Sequence, residues 1–77
     1  MKRVSVPSTL IKSVGYDHEA GHLEVEFAKG GVYRYSGVSL SEYSNMMLSK
    51  SIGSYFARAF KDQPDKYPFV KIGGEEL

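Results

Sequence analysis

Cysteine and tryptophan are both absent from this chain of 77 residues. Without cysteine there is no disulfide framework, no thiolate nucleophile and no thiolate zinc site. Long hydrophobic runs are missing as well. The longest falls far short of the ~20 residues that a membrane-spanning helix needs. The opening Met1-Lys2-Arg3-Val4-Ser5 carries cations but no apolar segment behind them, so it does not read as a secretory signal. A cytoplasmic location is the expectation. Neither sign of charge dominates, since ten Lys and Arg stand against nine Asp and Glu for a net charge of +1. Dedicated nucleic-acid binders are usually more basic, with isoelectric points above about 9; here the value is near 8.0.

What remains is an ordinary globular composition, 42% hydrophobic and 25% charged, which excludes intrinsic disorder. A domain of this size buries only about 60% of the surface its unfolded chain exposes. One small core barely offsets the entropy of ordering, so self-association is expected. The cations gather mildly in the C-terminal third, where Lys50, Arg58, Lys61, Lys66 and Lys71 face only Asp62 and Asp65. That bias permits a phosphate-bearing partner without requiring one. No membrane association is expected.

Hydrophobic period separates the chain into strands and helices. Leu10 to Tyr16 reads as a first strand and Asp17 to Gly21 as a turn. Leu23-Glu24-Val25-Glu26-Phe27 alternates strictly, with three apolar residues on one face and two glutamates on the other. Lys29-Gly30-Gly31 supplies the positive φ of a hairpin, and Val32 to Ser36 is a third strand rich in β-branched and aromatic residues. The period then lengthens. Ser39-Leu40-Ser41-Glu42 is a capping box, followed by Leu40, Tyr43, Met46 and Met47 at helical spacing, with Lys50 suited to the helix end. Ser51 caps a second helix whose stripe is Ile52, Tyr55, Phe56, Ala59 and Phe60. Gly53 within it marks either close packing or a bend. Gln63-Pro64-Asp65 ends the helix, and Lys66 to Ile72 reads as extended, an edge strand at most. The predicted class is α+β: a three-stranded antiparallel meander, then one or two helices on one sheet face, in a single domain spanning 4–72. Residues 73–77 read as a flexible tail.

Ser8-Thr9-Leu10-Ile11, Val14-Gly15-Tyr16-Asp17, Leu23 to Phe27, Gly31-Val32-Tyr33-Arg34-Tyr35 and Ser51-Ile52-Gly53-Ser54-Tyr55-Phe56 together resemble the KTSC domain. The resemblance runs from about Val4 to Ile72, and Ala57 stands where the family pattern carries Asn. This short domain occurs alone in bacterial and phage proteins and at the C-terminus of some lysyl-tRNA synthetases. The resemblance implies the same α+β domain, and the synthetase context suggests RNA binding.

Tyr33 and Tyr35 lie two apart on one strand and so share a face, with Arg34 on the other. If that face is open, the paired rings form a stacking platform for bases, worth about 1–3 kcal/mol per base. If it packs under the helices, they are core. A one-residue change of register decides between the two. Tyr16 adds another phenol, while Tyr43 and Tyr55 fall on helix stripes and read as core. Lys50, Arg58 and Lys61 are the candidate phosphate contacts, the last two sharing a helix face. His18 and His22, with Asp17 and Glu19, cluster at a turn rather than on a helix, so no metal is assigned. No Gly-x-Ser-x-Gly elbow or P-loop spacing exists, and no cofactor is assigned.

The expected function is thus a small non-enzymatic binding module. Its candidate residues for RNA or nucleotide are Tyr33, Arg34, Tyr35, Tyr16, Lys50, Arg58 and Lys61. The alternatives are a homo-oligomeric binder that sequesters a nucleotide-type small molecule between subunits, and a protein-protein interaction module.

Overall fold

The computed structural model describes residues 3–63 and 65–73. Five strands form one antiparallel sheet in sequence order: β1 (Val4–Ser5), β2 (Ile11–Asp17), β3 (His22–Phe27), β4 (Val32–Tyr35) and β5 (Phe69–Gly73). Two helices, α1 (Leu40–Leu48) and α2 (Ile52–Phe56), lie between β4 and β5, and α2 continues as a π-helical turn over Ala57–Lys61. The α+β class and the meander are as expected, but the sheet has two more strands than the hydrophobic pattern indicated. β1 is only two residues long, too short to show a period. β5 is almost wholly exposed and carries a register shift opposite Val32 and Tyr33, so it has no clean alternation to read. Gly73, assigned to the tail from the sequence, is the last residue of β5. The flexible tail expected beyond it, and Pro64 in the expected helix stop, lie outside the described residues.

β2, whose apolar residues do not alternate strictly, carries a bulge. Ile11 faces Phe27 and Val14 faces Val25, with one extra residue accommodated between Ile11 and Ser13. The bulge lets two apolar residues three apart point to the same side, and both are buried. On that side the sheet presents cross-strand rows: Tyr16, Leu23, Tyr35 and Phe69, and next to it Val14, Val25, Tyr33 and Lys71. The opposite face carries Gly15, Glu24, Arg34 and Val70 in register, which is the wet face the two glutamates predicted.

The helices cover the first face. α1 starts at the predicted capping box: the Glu42 amide donates to Ser39 Oγ at 3.2 Å, and the Ser39 amide donates to Glu42 Oε1 at 3.0 Å. Its Met46 is buried and Tyr43 stacks on Tyr16, ring centroids 4.5 Å apart. Leu40 is exposed, so the α1 stripe is narrower than its spacing suggested. Lys50 lies beyond the Ser49 cap rather than in the last turn of α1. In α2 the Ser51 hydroxyl accepts from the Ser54 amide at 3.3 Å. Ile52, Phe56 and Phe60 are buried as their spacing requires, with Tyr55 and Ala59 at the margin. Phe56 is the hub: its ring meets Tyr35, Phe27 and Phe60 at 5.2, 5.6 and 5.9 Å.

Candidate functional site

Which sheet face the two central tyrosines occupy follows from the β3–β4 register. Val25 opposes Tyr33 and Leu23 opposes Tyr35, so both phenols point toward the helices. Tyr35 is only 4% exposed, pressed edge-on against Phe56. A pair of rings standing open to solvent, the stacking platform considered from the sequence, is therefore not what the fold builds. Burial, and secondarily the neighbouring Tyr33 phenol, hold the Tyr35 hydroxyl above its ordinary pKa. Tyr33 differs from its partner. It lies one row along, half-buried, where the helical layer ends.

The end of that layer leaves a cleft of about 590 Å³. Four aromatic side chains line it, Phe27, Tyr33, Tyr35 and Phe69, together with Leu10, the Lys29-Gly30 turn and Lys61. Each wall has a local cause. The hairpin turn bends back because Gly30 and Gly31 adopt φ of 113° and 93°, a region closed to most side chains. Phe69 is delivered by the β4–β5 pairing and leans on Tyr33 and Tyr35, at 5.8 and 5.2 Å. Lys61 comes from the π-helical turn. The volume falls within the range of small-ligand pockets, about 300–1,000 Å³. Aromatic walls with two ammonium groups suit a flat, anionic ligand.

The remaining sequence candidates do not converge on this cleft. Arg34 is on the opposite sheet face, where Glu24 Oε2 lies 3.7 Å from its buried Nε, beyond hydrogen-bond reach. Arg3 joins the same glutamate at 3.0 Å. Tyr16 is separated from Tyr35 by Leu23 across the sheet; it stacks on Tyr43 and donates its hydroxyl to the Val38 carbonyl. Burial, then the carboxylates of Glu42 and Asp17, raise its pKa. Arg58 is exposed with its guanidinium 5.9 Å from the Tyr55 ring centroid. Lys50 borders a second concavity of about 420 Å³, shared with Pro7, Ser8, Thr9, Ser51, Gly53 and Ala57. Of the seven residues named from the sequence, the cleft gathers Tyr33, Tyr35 and Lys61. Phe27, Lys29 and Phe69 were missed. Phe27 read as core, and Phe69 belongs to a wall only once β5 pairs with β4.

The second concavity brings together two of the segments that carry the resemblance. Ser8 Oγ accepts from the amides of Leu10 and Ile11, at 3.1 and 3.2 Å, and lies against Gly53 of α2. The Ser-Thr-Leu-Ile and Ser-Ile-Gly-Ser segments are thus the two halves of one packing contact. A KTSC domain model matches residues 7–67, which contain both halves. The chain belongs to the KTSC domain family. An uncharacterized protein of Stutzerimonas stutzeri (strain A1501) is 40% identical over 67 residues, covering 87% of this chain and 94% of that protein. The crystal structure of a KTSC domain protein from Yersinia pestis is similar at a TM-score of 0.85 and 36% identity, over 94% of this chain and 97% of that one. Two segments of the KTSC pattern in this chain thus meet as a folding contact between loop and helix, while Tyr33 and Tyr35 of another segment line the aromatic cleft.

Proposed function

We propose that this KTSC domain is a non-enzymatic binding module for a nucleotide unit, with one base entering the aromatic cleft. The observation that supports the reading is the cleft itself: Phe27, Tyr33 and Phe69 supply ring surface, and Lys29 and Lys61 supply cations for a phosphate. A base stacked on an aromatic ring is worth about 1–3 kcal/mol, and a phosphate near two ammonium groups adds a salt-sensitive share.

The cleft favours a free nucleotide or a single extruded base over an RNA strand lying across the domain. A strand needs cations tracking its phosphates. Arg34 faces away from the cleft, and neither Lys50 nor Arg58 lines it. Titration with nucleoside phosphates and short RNAs at low salt tests the proposal, read by calorimetry or by tyrosine fluorescence in this tryptophan-free chain. Saturable one-to-one binding of a mononucleotide that weakens with salt is the expected result. Binding only of oligonucleotides would favour the RNA reading. No binding of either at millimolar concentration overturns both.

A further inference from the structure

Tyr35 borders the aromatic cleft although its ring belongs to the core, edge-on to Phe56. Two other phenols of the fold are hydrogen-bonded: Tyr16 donates to the Val38 carbonyl and Tyr67 to Glu42 Oε2. Among the described residues the Tyr35 hydroxyl has no such partner. Nor is it sealed. The polar side-chain atom that is both fully enclosed and without a hydrogen bond among those residues is Arg34 Nε, on the other sheet face. The Tyr35 hydroxyl thus keeps an opening, and the space beside Tyr35 is the cleft.

A hydroxyl in apolar surroundings favours whatever supplies its hydrogen bond. We infer that the Tyr35 hydroxyl is the specificity contact of the cleft, donating to a carbonyl oxygen or ring nitrogen on the edge of an entering base. This contact rests on the nucleotide reading and narrows it, because the aromatic group must then carry an acceptor edge. The rings of Phe27, Tyr33 and Phe69 accept any flat partner; the hydroxyl tells a base from a hydrocarbon ring of the same shape. Water in the cleft can meet the hydroxyl before binding. A base that displaces this water and replaces its hydrogen bond gains affinity, and an apolar ring that displaces it does not.

The direction of the hydrogen bond follows from protonation. Burial first, and the Tyr33 phenol second, hold the Tyr35 pKa above its ordinary value. At neutral pH the group is a phenol with a proton to donate. The cleft is also polar in one direction. β4 leaves the Gly30-Gly31 turn at Val32 and passes Tyr33 before it reaches Tyr35. At about 3.3 Å per residue, Tyr35 lies about 10 Å along the strand from Val32. Lys29 stands at the turn end. A phosphate held there leaves the base along Tyr33, with its far edge toward Tyr35.

Two measurements on the intact chain test the inference. The first needs no ligand. Tyr35→Phe keeps the ring and removes a hydroxyl that no described residue bonds, so its melting temperature is expected to equal or exceed that of the parent. Tyr67→Phe, which breaks the bond to Glu42, is expected to melt lower. The second is calorimetric titration with adenosine, guanosine, cytidine and uridine 5′-monophosphates, and with 1-naphthyl phosphate, a fused ring with a phosphate but no acceptor edge. In Tyr35→Phe the affinity for the preferred nucleotide is expected to fall by about tenfold. Affinity for naphthyl phosphate is expected to change by less than about twofold. A Tyr35→Phe variant that melts well below the parent overturns the inference, since the protein itself then holds the hydroxyl. Unchanged nucleotide affinity overturns it as well. So does an equal loss for nucleotide and naphthyl phosphate, which places the hydroxyl at the phosphate. If the parent binds no nucleotide, the nucleotide reading falls and this contact with it. If the parent binds and Tyr35→Phe binds equally, this contact falls alone.

Discussion

Ser8 Oγ lies 2.7 Å from the point where a Cβ on Gly53 would stand. Leu10 Cβ is 3.3 Å from the same point. The N-terminal loop therefore rests directly on the backbone of α2, and a side chain at position 53 requires Ser8 or Leu10 to shift. Helix propensity alone argues the opposite, since Ala is better than Gly in a helix by about 1 kcal/mol.

The two effects set the sign of the first prediction. Overpacking a tight contact costs about 1–3 kcal/mol, so Gly53→Ala is expected to destabilise by about 1–2 kcal/mol net. Denaturant unfolding measures it. In a double-mutant cycle, Ser8→Ala is expected to relieve part of the cost, with a coupling above about 0.5 kcal/mol. A more stable Gly53→Ala variant means the contact is loose.

Phe56 joins the sheet to the π-helical turn through three ring contacts. Phe→Ala at a core position costs about 3–5 kcal/mol, which is much of the stability of a domain this small. Phe56→Ala is expected to be largely unfolded at room temperature by circular dichroism. A cooperative unfolding transition near the parent temperature excludes Phe56 as the hub.

Two substitutions on β4 separate the faces of the sheet. Tyr33→Ala removes ring surface from the cleft and is expected to weaken nucleotide binding by about tenfold, the low end of a lost stacking contact. Arg34→Ala, beside Glu24 on the far face, is expected to change affinity by less than twofold. Calorimetry of both variants decides it. A larger loss in Arg34→Ala moves the site to the other side of the sheet.

The buried Tyr35 phenol makes stability sensitive to alkali. Its pKa is raised above the usual 10.0 by burial first and by Tyr33 second. The folded chain holds this proton more tightly than the unfolded chain, so the associated stability is complete below pH 10 and declines as pH rises through the raised value. Tyr16, shifted the same way by burial and by Glu42 and Asp17, adds to the effect. Melting temperature is expected to fall above pH 10, and less steeply in Tyr35→Phe. An equal slope in the variant assigns the loss to other groups.

Local chemistry made much of this fold readable from the residues. The Gly30-Gly31 turn, the capping box at Ser39 and the strict alternation of β3 depend on interactions among near neighbours in the chain, and each is found where it was expected. So does the Ile52, Phe56, Phe60 stripe, although the helix there passes from α to π geometry at Ala57. β1 and β5 were hard to read because an edge strand is held by its partner rather than by its own pattern. The candidate site was legible only in pieces. Tyr33 and Lys61 were named for their chemistry, but Phe69 required a pairing between residues far apart in the chain.

Residue order alone established the α+β class, the succession of meander and helices, and the KTSC relationship, because turns, caps and hydrophobic periods act over a few residues. The assignment of Tyr35 to the core and of Tyr33 to a cleft wall came from tertiary structure. Both side chains leave the same strand toward the same face, but Tyr35 meets the Phe56 ring of α2 whereas Tyr33 meets Phe27 and Phe69. The contacts with Phe56 and Phe69 join residues far apart in the chain, a long-range packing relation that no local pattern encodes.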